Sequence, residues 1–318
     1  MKQLKRALQW PRQLSLATED LPDPNVLAVS AGPDRCGYYI YATNIDAGNA
    51  RRVNVPVVFS PDLGDFTLIG DALPVLPDWA RPGFTWAPEV TWTGQEFRLY
   101  FTARLRGTGR QVIGVASSPH PQGPFVAETT PLLTMLPQGG AIDASTLRTG
   151  DGRLFLYWKN DGNAVKRPTY LWGAELSADG LRLITEPAAV LGASELWERA
   201  LVEAPQVIED AGRFHLLYSC ADYGNETYAV GHASGPSPLG PFGKDSTPLL
   251  TSYDTVAGPG HSHAFRSHSG QWHLAYHAWD AGRCGYPTGR RRLHLSPLHL
   301  DGQAARVILP ELSAQASD

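Results

Sequence analysis

Hydrophobic and polar positions along the chain fall into one unit that recurs five times. Its clearest copy, VEAPQVIEDAGRFHLLYS (202–219), reads as a strand, a polar turn closed by a glycine, and a second strand dense in aromatic and aliphatic residues. That is a β-hairpin pattern. The turn glycines of the five copies are Gly37, Gly94, Gly152, Gly212 and Gly270, spaced 57 to 60 residues apart. A second segment keeps the same beat: GVASSPHPQGPF (114–125) recurs as GHASGPSPLGPF (231–242), 117 residues or two periods later.

A period of this length, with about four short strands per unit, predicts an all-β five-bladed β-propeller of four-stranded antiparallel blades around a central axis. The expected organisation is a single domain, 1–318, with residues 1–20 as an N-terminal arm that helps close the ring. The blades are expected to start at Asp23, Trp86, Asp143, Glu203 and His261. Blade three is expected to contain a hairpin in TYLWGAELSADGLRLI (169–184) built on its Asp-Gly turn. The segment SELWER (194–199) looks helical but is short, and it is given no role.

Aligning the copies on their glycines brings three polar residues to one position. Asp143, Glu203 and His261 each precede the turn glycine by nine residues. Trp86 takes that place if its turn is one residue shorter, and Asp23 if its turn is five longer. In a propeller the innermost strands run beside the axis, so these five side chains should ring one mouth of the channel.

Composition narrows the partners. A net charge of −4 leaves no basic footprint, so neither nucleic acid nor an anionic membrane is expected. The three cysteines, Cys36, Cys220 and Cys284, are odd in number and lack C-x-x-C spacing, which favours free thiols over a disulfide framework or zinc. No apolar run near the N-terminus reads as a secretory h-region, so a cytoplasmic location is expected.

Carboxylates at the start of a core strand need a reason, because a buried charge is unfavourable unless paired or hydrogen-bonded. One reason is local, a turn cap or an arginine partner. The other is chemical: two carboxyl groups flanking a sugar bond, one protonated and one ionised, are what glycoside hydrolysis requires, and a third nearby charge raises the pKa of the acid.

LPDPNV, WAPEV, IDAST, VEAPQV, GPGHSHAF and GRRRLHL, in this order and spacing, resemble glycoside hydrolase family 43 across nearly the whole chain. The resemblance implies a five-bladed propeller that hydrolyses α-L-arabinofuranosides, β-xylosides or arabinan with inversion. It implies Asp23 as general base, Asp143 as the residue that orients the acid and tunes its pKa, and Glu203 as general acid. Trp86 would wall the terminal sugar subsite, though it reads equally as a core tryptophan. His261 would be the axial histidine that binds a central Ca2+ in many members, or else a hydrogen-bonded core residue; no organic cofactor is implied. Arg290 resembles the late arginine that reaches the sugar, with Arg291 and Arg292 as neighbours that leave the choice open. Ile142 and Ala144 stand beside Asp143 where the family often has Pro or Phe. The leading expectation is an exo-acting hydrolase on oligosaccharides. An endo-α-1,5-L-arabinanase, a retaining relative using Asp23 as nucleophile, and a non-catalytic carbohydrate-binding propeller are the alternatives.

Overall fold

A computed structural model describes residues 3–5, 20–32, 34–46 and 52–309. Among them, five antiparallel sheets form a ring. The inner strands are Asn25–Val29, Ala80–Trp92, Ala141–Arg148, Val202–Asp210 and Val256–Arg266. Blade one gains a fifth strand, Gln3–Lys5, on its outer edge; the rest of the 1–20 arm, apart from Asp20, lies outside the described residues.

The aromatic second strands follow from the ring. A blade has neighbours on both faces, so alternate side chains of one strand fill two different wedges. Leu216 and Tyr218 pack with Tyr157 and Leu171 of blade three, while Leu217 between them packs with Leu274 and Tyr276 of blade five. Five such hydrophobic clusters fill the five wedges. The repeated GPF segments are interblade latches: the Tyr41 hydroxyl donates to the Pro121 carbonyl, and that of Tyr157 to Pro238 at 2.7 Å. Phe125 and Phe242 pack into the same wedges.

Two local expectations change. The Asp179-Gly180 turn in blade three closes only a single bridge, Leu176 to Leu183, and the fourth strand is Ala188–Gly192. Arg98 and Tyr100 of blade two hold the carbonyls of Asp179 and Gly180 at 2.8 Å, so the turn serves the neighbouring blade. SELWER does matter. It forms a 3-10 turn, Leu196–Glu198, whose fully buried Glu198 carboxylate receives Lys244, the Tyr218 hydroxyl and two backbone N–H groups. Of the free cysteines, Cys36 is exposed and Cys220 buried.

Each inner strand has a left-handed residue at the mouth, within the strand in blades two to five and two residues before it in blade one: Asp23 (φ 56°), Ala87 (44°), Asp143 (61°), Ala204 (50°) and His261 (46°). In blades two to five a register shift marks the same place, a β-bulge. Two residues further on, a polar side chain clasps the next blade. Asn25 accepts the Val90 N–H (3.0 Å), Glu89 that of Thr146 (3.0 Å), Gln206 that of Ala264 (2.6 Å) and His263 that of Val26 (3.3 Å), while Ser145 donates to the Pro205 carbonyl. Glu89 is thus a buried carboxylate with a structural task, bonded also by the Asn25 amide and the Thr146 hydroxyl.

Gln206 both donates to and accepts from the backbone of Ala264. Gln206→Leu should therefore lower stability by about 1–3 kcal/mol, because two buried backbone groups lose their partners. Chemical denaturation checks this, and an unchanged midpoint would show that the clasp contributes nothing.

Candidate active site

The bulges determine which side chains reach the axis. In a regular strand consecutive side chains point to opposite faces, but a left-handed residue breaks the alternation. Ile142 and Asp143, neighbours in sequence, both line the same cavity of about 260 Å3, together with Asp23, Trp86, Glu203 and His261. All five residues expected at the mouth are there.

Their register differs from the glycine alignment by one residue in two blades. The positions equivalent to Asp143 and His261 are Ala204 and Ala87; Glu203 and Trp86 each stand one residue earlier, level with Ile142. The hairpins of blades two and four are one residue shorter between equivalent pairs, Glu89 to Tyr100 and Gln206 to Leu217 against Ser145 to Tyr157.

A left-handed residue turns its N–H out of its own ladder, and the preceding blade supplies an acceptor. The Thr43 hydroxyl takes the Ala87 N–H (2.9 Å), Thr102 that of Asp143 (3.1 Å), Ser219 that of His261 (2.7 Å) and His277 Nδ1 that of Asp23 (3.1 Å). Blade three has Lys159 at this place, which has no lone pair to offer. Asp143 Oδ2 accepts the Ala204 N–H instead, at 3.1 Å.

The three carboxyl groups sit in different surroundings. Asp23 Oδ1 lies 3.0 Å from Arg291 Nη1 and 3.3 Å from His261 Nδ1, and Oδ2 accepts the Thr43 hydroxyl. Burial pushes the Asp23 carboxyl up, but Arg291 and His261 outweigh it and hold the group well below the usual range. Glu203 is fixed at both oxygens, by Lys159 Nζ at 3.0 Å and the Tyr228 hydroxyl at 2.8 Å. Burial again acts upward, and the Lys159 ammonium with the Tyr228 bond brings the net shift down. Asp143 is pushed up to about 6, first by burial, with the neighbouring Glu203 charge adding to it. The two carboxyl groups lie within each other's field, so the proton affinity of either depends on the charge of the other. His277 is driven down to about 4 by burial and by Arg291, so it stays neutral with Nδ1 free to accept.

Trp86 is half-buried and lines the pocket as a wall, backed by Phe84 at 5.6 Å, with the Arg104 guanidinium over both rings. Of the three arginines 290–292, the one in the site is Arg291. Arg290 is exposed and donates to the Pro287 and Gly289 carbonyls at 2.8 Å, and Arg292 pairs with Asp280. His261 faces Asp23, and no group of three or more His, Cys, Asp or Glu among the described residues is arranged to hold a metal. Calcium takes six to eight oxygens, so at His261 water would have to complete the shell, and no step is assigned to a metal. Lys159 was missed by sequence reasoning, although a lysine inside the apolar strand LFLYWKN was a visible signal. Nothing in the GRRRL run distinguishes Arg291.

A family model, Glycosyl hydrolases family 43, matches residues 15–302. The chain belongs to this family. A family 43 protein named β-D-galactofuranosidase xynD, from Aspergillus niger, is 28% identical over 259 residues, covering 76% of this chain and 70% of that protein. A xylosidase/arabinosidase of Bacteroides ovatus is 26% identical, covering 60% and 63%. A thermostable family-43 glycoside hydrolase of known structure superposes with a TM-score of 0.78 at 27% identity, over 92% of this chain and 93% of that one. This family 43 chain is therefore a glycosidase.

Removing Arg291 would leave Asp23 without its guanidinium. Breaking a buried pair from one side costs about 3–5 kcal/mol, so Arg291→Met should lower the melting temperature and abolish most activity. Arg290→Ala should change neither. Melting curves and kcat/KM for both variants decide, and equal losses would place Arg290 in the site after all.

Proposed function

We propose that the protein is an exo-acting, inverting glycosidase that removes terminal α-L-arabinofuranosyl or β-D-xylosyl residues from arabinan- or arabinoxylan-derived oligosaccharides. The observation that carries this reading is one small pocket holding three carboxyl groups with separated proton affinities. At about 260 Å3 it falls below the roughly 300–1,000 Å3 of clefts for drug-sized ligands, which suits a single sugar at its end.

Asp23, held ionised by Arg291, takes a proton from a water that attacks the anomeric carbon. Glu203 gives its proton to the glycosidic oxygen as that C–O bond breaks, and the product has inverted configuration. Asp143 keeps one proton in the pair up to mildly acidic pH. A sugar packed against Glu203 removes water from its carboxyl and favours its protonated form, so the pair's proton is redistributed toward the acid. Trp86 offers an apolar face to the sugar ring. A second cavity, about 430 Å3 between blades three and four, meets the pocket at Glu203 and Tyr223. It lies on the acid's side, where the leaving group departs, and offers room for the rest of the oligosaccharide.

The test is a substrate screen with 4-nitrophenyl α-L-arabinofuranoside, β-D-xyloside and β-D-galactofuranoside beside arabino- and xylo-oligosaccharides, with the product anomer read by NMR. A retained anomer would make Asp23 a nucleophile. General acid catalysis contributes roughly 10²- to 10⁴-fold, so Glu203→Ala should lose about that much on oligosaccharides and far less on an aryl glycoside with a good leaving group. Asp23→Ala should fail on both substrates and be rescued by azide. The opposite pattern would exchange the two roles. Asp143→Asn should move the basic limb of the pH–rate profile to lower pH, since it removes the charge that lifts the pair's proton affinity.

A further inference from the structure

In blades two to five the second strand places one residue level with the bulge of its own inner strand, Thr102, Lys159, Ser219 and His277, and in blade one Thr43, just past the second strand, holds the same place. In four blades that residue accepts the N–H of the next blade's left-handed residue. Blade three alone departs among the five. Its Lys159 is 2% exposed, and its ammonium lies 3.0 Å from Glu203 Oε2. The fold gains nothing here from a cation, because a threonine or serine hydroxyl suffices at the equivalent places. The substitution instead removes an acceptor and commits Asp143 Oδ2 to the Ala204 N–H.

We propose that Lys159 is a positioning residue for the reaction: it anchors the Glu203 carboxyl at the pocket and sets the pH above which that carboxyl can no longer deliver a proton. This rests on the reading of Glu203 as the acid. Two contacts from different blades define the carboxyl plane, Lys159 on Oε2 and the Tyr228 hydroxyl on Oε1. The charged and titratable groups around the pair come from every blade that borders it: Asp143 and Asp161 from blade three, Tyr228 from blade four, His261 from blade five and Asp23 from blade one. Lys159 acts on both members, drawing Asp143 as well as Glu203 toward the ionised form. Without it, burial and mutual repulsion act with less opposition, and the pair holds its proton to higher pH.

Lys159→Thr installs the residue of blades one and two, whose hydroxyl can accept the Ala204 N–H, and so keeps the bulge partnered. Lys159→Met is a second charge-free variant, and Lys159→Arg keeps the charge. For each, kcat and KM are measured against pH on an activated aryl glycoside and on an oligosaccharide, beside the melting temperature. Loss of the cation should move the basic limb of kcat/KM to higher pH by about one unit, one unit being a tenfold change in proton affinity. It should also lower kcat on the oligosaccharide about tenfold at the optimum, while kcat on the aryl glycoside stays within about threefold, a part of the full acid contribution. Lys159→Arg should return the limb toward its original position. A lowered melting temperature with an unmoved limb in both Thr and Met variants would reduce Lys159 to a structural role and overturn the proposal. Glu203→Ala, run in parallel, separates the two readings: if it is equally impaired on both substrates the assignment of the acid fails, and if it shows the leaving-group dependence while the limb stays put in Lys159→Thr, only the role of Lys159 fails.

Discussion

The structure depends on five backbone N–H groups at one mouth of the ring. Each belongs to a left-handed residue that interrupts its inner strand or, for Asp23, leads into it, and each would be left without a partner if the neighbouring blade did not accept it. The bulge and its acceptor therefore belong to different blades. That coupling fixes the angle between blades at the place where the pocket forms, while the clasps from Asn25, Glu89, Ser145, Gln206 and His263 repeat it one layer below. The left-handed conformation carries strain for residues other than glycine, and here the strain has a use: it lets neighbours such as Ile142 and Asp143 face the axis together.

The chemistry grows out of one irregularity in that scheme. Where blade three offers a lysine in place of a hydroxyl, the Asp143 carboxyl must serve a backbone N–H, and the lysine is released to the Glu203 carboxyl. Two acidic groups close enough to titrate together thus receive different partners, one a neutral donor and the other a cation. Burial and the Glu203 charge lift Asp143, while Lys159 and the Tyr228 hydroxyl bring Glu203 down. Asp23, across the pocket, lies against a guanidinium and is kept ionised independently of them.

Much of this was legible in the sequence because a repeat constrains the reading. The glycine period gave the blade number, and a carboxylate or histidine recurring at one phase pointed to the mouth. The one-residue offset of Glu203 and Trp86 was not legible, since hairpins that differ by one residue carry the same glycine signal. Glu89 was passed over beside Trp86, although it is as buried as the catalytic candidates; only its contacts show that it clasps two blades. Glu198 hid in a segment too short to show helical periodicity, and its weight comes from Lys244 and Tyr218, distant in sequence. The choice among Arg290, Arg291 and Arg292 turned on the path of a loop, which three identical residues cannot encode.

Ring closure and catalysis share residues. Among the described residues, blade five is made of the strands from Val256 to Val307, and blade one takes its outermost strand from Gln3–Lys5. The joint consists of the cluster of Phe265 and Ala275 with Val26, Tyr38 and Ile40, and of a polar seam along the mouth. In that seam the Leu21 N–H donates to the Arg291 carbonyl at 2.9 Å, the Asp20 carboxylate accepts the Arg291 N–H at 2.9 Å, and the Arg291 guanidinium reaches Asp23. Asp23 in turn hands its own N–H to His277 of blade five. The residue proposed as the base is therefore ionised by the same arginine that fastens the last blade to the first. A propeller whose joint opened would lose the partner that keeps its base ionised.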